Sequence, residues 1–208
     1  MFGRNWRSTY EERVFSGSDG YLKYARANGS FWSYGVSSGG GSLTYSRVAP
    51  ANGSDTVAIG TSTWILTLQS GEKRVYDSTT GLLLSIIDRN GNTTQLAYDA
   101  SNRLITVTDP ALRHLYFTYV SSSSSLVSTV TSDVGISLSY AYDDQGRLTQ
   151  VTKPDNTTIS FQFDANSNIT AVLDTNGKIL EAHTYDAVGR GLTSSRANGV
   201  DAVTVTYP

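Results

Sequence analysis

The chain has no cysteine, only four prolines, two histidines and one methionine in 208 residues. Without cysteine there are no disulfides, thiolate metal sites or cysteine nucleophiles. That absence does not fix the compartment, because many secreted bacterial proteins share it. Charge is scarce at 16%, apolar residues reach only 38%, and the formal net charge is −2. So small a net charge gives no reason to expect a nucleic-acid partner. No apolar run reaches about 18 residues, which excludes a transmembrane helix. The opening Met1-Phe-Gly-Arg-Asn-Trp6 has no apolar core of a secretory leader. Aromatic residues make up 11% of the chain, which argues against a disordered polymer.

Helical patterning is also nearly missing. Short runs rich in Thr, Val, Ile, Tyr and Phe recur, such as 104–108, 157–163 and 202–207, bounded by Gly, Asn, Asp and Ser. Those side chains suit a pleated, half-buried surface. Asn-Gly occurs five times, at Asn28, Asn52, Asn90, Asn176 and Asn198, and predicts two-residue hairpin turns.

A repeat organises these runs. Aromatic-Asp pairs stand at Tyr76-Asp77, Tyr98-Asp99, Tyr142-Asp143, Phe163-Asp164 and Tyr185-Asp186, and Tyr119 and Tyr207 fall on the same lattice. Successive spacings from Tyr76 to Tyr207 are 22, 21, 23, 21, 22 and 22. A turn residue follows each pair, at Gly81, Asn102, Gly146, Asn168 or Gly189. Arg comes next at Arg103, Arg147 and Arg190, then an aliphatic at Leu83, Leu104, Leu148, Ile169 or Leu192. In this alignment Gly191 is an extra residue, which predicts a bulge, and Ser121–Ser125 forms a mobile turn. Each unit reads as strand, tight turn, strand, tight turn. The recurring tyrosines are placed to stack across strands. The Asp accepts turn N–H groups, and the Arg faces outward toward repeat Asp residues.

These phrases resemble the YD repeat of Rhs proteins and teneurins. Tyr142-Asp-Asp-Gln-Gly-Arg-Leu-Thr-Gln-Val-Thr-Lys-Pro-Asp155 and Tyr98-Asp-Ala-Ser-Asn-Arg-Leu-Ile-Thr-Val-Thr-Asp-Pro110 lie close to its pattern. Phe2-Gly-Arg-Asn-Trp6, with Tyr10-Glu11, is similar to the Gly-x-Gly-Trp opening of an Rhs domain, with Asn5 where Gly is usual. The resemblance implies a β-strip that winds into a hollow shell. It also implies a toxin cargo in bacterial members and cell adhesion in teneurins.

Chemistry-bearing patterns are few. His114 and His183 read as strand-surface or pore-face residues. Ser70-Gly-Glu-Lys73 has Ser-x-x-Lys spacing but reads as a glycine turn. Ser37–Ser42 is Gly-rich without the frame of a phosphate cradle and reads as a flexible loop. Asp88–Asn92 and Asp174–Lys178 carry oxygen ligands but lack a full Ca²⁺ set. The pairs Asp143-Asp144 and Glu11-Glu12 point to opposite faces if they lie in strands. Phe31, Trp32, Tyr34 and Trp64 form either a sugar-stacking platform or an apolar cap on the first edge of the sheet.

The expectation is an all-β chain of consecutive antiparallel hairpins forming one curved or spiralling sheet. Residues 1–75 form an irregular cap region, and 76–208 hold about six repeats of roughly 22 residues. The expected function is non-enzymatic: a structural scaffold in an Rhs-type shell, or a self-assembling extracellular or cell-surface structure. An adhesin-like module binding glycan or protein through its aromatics is the alternative. No cofactor is expected. The expected partners are the chain itself through β-edge pairing, or the remainder of a shell and its cargo.

Overall fold

The computed structural model describes residues 1–37 and 43–208. The Gly-rich loop expected at Ser37–Ser42 therefore lies, for 38–42, outside the described residues. Among the described residues, nineteen strands belong to one antiparallel sheet, with two short 3-10 turns besides.

The chain divides into two compact units. The first comprises Met1 and Arg7–Phe117. It carries β1 (Arg13–Ser16), β2 (Leu22–Ala25), β3 (Phe31–Ser37), β4 (Thr44–Ala49), β5 (Thr56–Ile59) and β6 (Thr63–Thr67). There follow β7 (Lys73–Asp77), β8 (Leu83–Ile87), β9 (Thr93–Tyr98), β10 (Leu104–Thr108) and most of β11 (His114–Tyr119). The second comprises Phe2–Trp6 and Thr118–Pro208. Its strands are β12 (Val127–Ser132), β13 (Ser137–Tyr142), β14 (Leu148–Thr152), β15 (Thr158–Phe163), β16 (Ile169–Leu173), β17 (Ile179–Tyr185), β18 (Gly191–Arg196) and β19 (Val203–Thr204). Within each unit every strand pairs antiparallel with the next in sequence.

The turns differ from the two-residue form that Asn-Gly predicts. Among the described residues, twelve share one closure: the first residue's N–H donates to the fifth residue's carbonyl, and the fourth residue's N–H to the first residue's carbonyl. They open at residues 17, 26, 68, 88, 99, 109, 132, 143, 153, 164, 174 and 186. In all twelve only the fourth position is left-handed, as at Gly91 (φ 89°), Asn102 (φ 60°) and Leu112 (φ 61°). This is a type I turn followed by one left-handed residue. In Asn28-Gly29, Asn90-Gly91 and Asn176-Gly177 only the glycine has positive φ. The asparagine sits third, where no left-handed backbone is required. The same closure at residues 17, 26 and 68 carries the turn into the stretch that looked irregular in sequence. The Tyr119 repeat closes a wider loop instead, with Val120 N–H donating to Leu126 O at 2.9 Å across the serine run.

A β-bulge recurs at the aromatic position and is not special to Gly191. Tyr76, Tyr98, Tyr142, Phe163 and Tyr185 pair with Leu83, Leu104, Leu148, Ile169 and Gly191, and in each case the register slips by one residue beside that pair. Gly191 thus occupies the core-aliphatic place and Leu192 is the bulged residue. The repeat has not gained a residue there; it has lost a core side chain.

Burial follows this register. Leu83, Leu104, Val127 and Leu148 are at most 2% exposed, whereas Ile169 is half-buried and Gly191 exposed.

Candidate functional site

The repeat positions form one hydrogen-bonded device. Asp99 Oδ1 accepts from Ser101 N and Arg103 N, both at 2.9 Å, and its Oδ2 accepts from Arg103 Nε at 2.7 Å. Asp143 with Arg147, and Asp186 with Arg190, repeat this arrangement at nearly the same distances. Asp164 substitutes Asn168 Nδ2 at 3.0 Å for the missing Arg. Asp109 with Arg113 builds it again at the second turn of a repeat. Asp77 closes a longer turn, accepting from Thr79 N and Thr80 N. The turn hydrogen bonds hold these carboxyls below the ordinary carboxylate range. For Asp77, Asp99, Asp143 and Asp186 the main contribution is a backbone N–H. For Asp88, Asp109 and Asp164 it is a side chain. Each carboxylate is thereby committed to its own turn. The left-handed fourth positions include Gly146 (φ 71°) and Gly189 (φ 83°).

The aromatic of the pair links successive repeats through its hydroxyl. Tyr98 Oη donates to Leu83 O at 2.7 Å and Tyr142 Oη to Val127 O at 2.8 Å. Tyr185 Oη reaches Ile169 O at 2.8 Å and Tyr207 Oη reaches Gly191 O at 2.9 Å. Every acceptor is the carbonyl at the core-aliphatic place of the preceding repeat. Stacking between tyrosines, the expectation from spacing, is thus not what defines the position. Phe163 has no hydroxyl, and the Arg147 guanidinium lies 4.9 Å from its ring centroid instead. Arg147 Nη1 also donates to Asp164 O at 3.1 Å. Arg190 lies over Tyr207 at 4.3 Å. The repeat arginines therefore face the next repeat's aromatic as well as their own Asp.

The N-terminal segment packs aromatic rings onto repeat strands. In the second unit Phe2 meets Tyr140 at 4.8 Å and Trp6 meets Phe161 at 4.9 Å between centroids. A Cβ at Gly3 would stand 2.6 Å from Gly146 O, so only glycine allows this approach. Asn5 has φ 69° and takes a left-handed backbone, which asparagine tolerates better than most residues. In the first unit Tyr10 meets Phe117 edge-on at 6.5 Å. Glu11 accepts from Ser8 N at 2.8 Å in a capping box. Val14 N donates to Gly81 O at 3.3 Å, and Arg13 bridges Leu82. A side chain at Gly81 would collide with Val14 O.

The first unit also holds a buried ionic cluster that the sequence did not disclose. Glu12 is 6% exposed, pairs with Arg74 and accepts from Tyr24 Oη at 2.6 Å. Arg74 also donates to Glu72 Oε1 at 2.6 Å and to Tyr24 Oη at 2.9 Å. Asp55, 3% exposed, lies 2.7 Å from Arg47 Nη1 and accepts from Gln69 N at 2.7 Å. Burial pushes the Tyr24, Tyr34 and Tyr76 hydroxyls far above their ordinary pKa, raises Glu72 and lowers Arg74. One signal was readable. Arg74 stands two residues before Tyr76, where four other repeats have Leu96, Phe117, Tyr140 and Phe161, the Tyr185 repeat has His183 and Tyr207 has Val205. A charge at a core-facing place requires a buried partner.

The four aromatics proposed as a stacking platform do not share one exposed face. Tyr34 is fully buried and Phe31 is 54% exposed. Trp32 is half-buried, with the guanidiniums of Arg26 and Arg47 each 4.2 Å from its ring centroid. Trp64 is half-buried opposite Tyr76 in the β6–β7 ladder. His114 stacks on Tyr116 at 5.6 Å, and His183 Nε2 lies 3.6 Å from Glu181 Oε2. Ser70 belongs to a glycine turn, accepting from Glu72 N at 3.4 Å, while Lys73 opens β7. Among the described residues no three His, Cys, Asp or Glu side chains converge to hold a metal.

No curated protein sequence matches the chain. The crystal structure of TcdB2-TccC3-Cdc42 is similar at 15% identity and a TM-score of 0.48, over 93% of this chain and 12% of that one. The Tc holotoxin pore of Photorhabdus luminescens is similar at 12% identity and a TM-score of 0.37, over 92% and 15%. A porin-like protein from Bacteroides uniformis gives 9% identity and a TM-score of 0.38, over 89% and 94%. The chain thus spans about an eighth of the TcdB2-TccC3 chain. The sequence profile of the Teneurin YD-shell matches residues 52–204, which takes in the repeat aromatics from Tyr76 to Tyr185, and the chain belongs to that family.

Proposed function

We propose that this chain is a structural YD-repeat scaffold that forms part of the wall of a larger shell and carries no catalytic centre of its own. The observation that carries this reading is the use to which the repeat carboxylates are put. Asp99, Asp143, Asp164 and Asp186 each accept two backbone N–H groups and one side chain of their own turn. Three of the roughly four acceptor sites of each carboxylate are thus taken up by its own turn, an arrangement suited to holding the turn and not to exchanging a proton with substrate. On this reading residues 1–75 serve as the cap region and 76–208 as the repeating wall. The remainder of a shell, and a cargo within it, are the partners, in a secreted or cell-surface setting.

Wall building is favoured over head-to-tail polymerisation by the state of the first edge. An open polymer needs two complementary free edges on each copy. β1 already has its outer side engaged, through Val14 N–H to Gly81 O and the Arg13–Leu82 bridge. β19 has only two paired positions on β18, and Val203 is 57% exposed. Light scattering on a size-exclusion column across a concentration series tests this. A mass that stays at one protomer, or stops at two, is expected. A mass that climbs with concentration would replace the wall by a self-assembling filament. Turnover of any substrate lost on a single carboxylate substitution would overturn the non-enzymatic reading.

A further inference from the structure

Five identical Asn-Gly dipeptides sit in three different backbone settings. An asparagine followed by glycine can convert itself. The glycine nitrogen, having lost its proton to solvent, attacks the asparagine Cγ. A new C–N bond closes a succinimide, and the Cγ–Nδ2 bond breaks to release ammonia. Water then opens the ring at either carbonyl, leaving aspartate or isoaspartate. The net change is amide plus water to carboxylate plus ammonium, with no oxidation. The step requires a glycine nitrogen that is free to reach its neighbour's side chain.

Three of the five are tied. Gly29 N donates to Arg26 O at 3.0 Å, Gly91 N to Asp88 O at 3.1 Å and Gly177 N to Asp174 O at 3.0 Å. The fourth, Asn198, lies in the 3-10 turn Ala197–Gly199 with φ 59° and ψ 25°. At that ψ the next nitrogen points to the opposite side of the Cα–C bond from the side chain. Asn52-Gly53 is different. It lies in the connection from β4 to β5, outside the twelve regular turns, and Asn52 is exposed. Neither residue has positive φ, and among the described residues Gly53 N–H has no acceptor.

A cation is also fixed at this site. The Arg47 guanidinium lies against Gly53, so closely that a Cβ there would coincide with it. Arg47 is 7% exposed and held by Asp55 at 2.7 Å and by the Trp32 ring at 4.2 Å. A preorganised positive charge favours loss of the amide proton and stabilises the oxyanion that forms at Cγ. We propose that Asn52 is a spontaneous modification site, assisted by Arg47, whose product carboxylate gives Arg47 a second anionic partner beside Asp55.

The test incubates the folded full chain at mildly alkaline pH and follows each Asn-Gly peptide by mass spectrometry, with the chain in urea as reference. In the folded chain, Asn52 is expected to convert several-fold faster than Asn28, Asn90, Asn176 or Asn198, and at least as fast as in urea. In urea the five should approach a common rate, and N52Q should remove the fast component. Any of the other four matching Asn52 in the folded chain would overturn the assignment. Folded Asn52 reacting more slowly than unfolded Asn52 would overturn the assistance by Arg47.

Discussion

The two units use the same turns and the same ladders, yet their interiors differ. Among the described residues, fourteen of the buried apolar side chains lie in the first unit and four, Val127, Val130, Leu148 and Ala171, in the second. The fourteen include three fully buried tyrosines, Tyr24, Tyr34 and Tyr76, and the first unit adds two buried ion pairs. The second relies on Tyr-to-carbonyl bonds and on two rings, Phe2 and Trp6, delivered from the N-terminal segment. The repeat by itself therefore specifies hairpins and their register. A dry interior requires side chains that the repeat does not encode.

Breaking the ionic cluster should produce the largest difference. Glu12→Ala leaves the buried Arg74 with the more exposed Glu72 as its remaining carboxylate and strips Tyr24 Oη of its acceptor, which should cost about 3 kcal/mol, the low end for breaking a buried pair. Urea unfolding should show this loss, and a change below about 1 kcal/mol would mean that solvent screens the pair. Next come the core aliphatics. Leu104→Ala, at a site 2% exposed, should cost about 3 kcal/mol. Ile169→Ala, at the equivalent half-buried place, should cost about 1–2 kcal/mol. Equal losses would erase the burial gradient between the units.

The tyrosine link gives a smaller, two-signed comparison. Tyr142→Phe should lose about 1 kcal/mol with its bond to Val127 O, and Phe163→Tyr should gain up to about 1 kcal/mol. A loss from both substitutions would show that ring packing, not the hydroxyl, sets the position. Acid is the mildest perturbation. The turn carboxyls of Asp77, Asp88, Asp99, Asp109, Asp143, Asp164 and Asp186 are depressed when folded. Their contribution is fully present above the unfolded value of about 3.9 and fades as pH falls through the lower folded values. The melting temperature should therefore hold steady above that value and decline below it. Asp99→Asn should flatten the decline slightly.

Much of this architecture was legible because the repeat is local. Tyr, Asp, Gly or Asn, and Arg recur at fixed offsets, and their partners lie within one hairpin, so spacing alone located the turns. The bulge expected beside Gly191 is present, but Gly191 is not the extra residue: it sits where Leu104 and Leu148 sit, and a core glycine looks like an insertion because nothing in its side chain marks the place. The turns opening at 17, 26 and 68 lack an opening Asp and keep the left-handed fourth glycine, which is why Asn28-Gly29 and Ser70-Gly71 were legible as turns but not as part of the repeat. The ionic cluster was hidden for a different reason. Arg74 holds a repeat position, but Glu12 lies 62 residues earlier and off the period, so only the three-dimensional path of the chain into β1 brings them together.

The hydroxyl links have a consequence for how the second unit opens. Each one couples a repeat to its predecessor alone, so stability propagates as nearest-neighbour terms along a line. Phe163 interrupts that line, because Leu148 O receives no tyrosine hydroxyl there. Native-state hydrogen exchange should therefore fall into two cooperative blocks, with a step in opening free energy between β14 and β15. Strands beyond Phe163 would fray together while those before it stay protected, and Phe163→Tyr would merge the blocks into one.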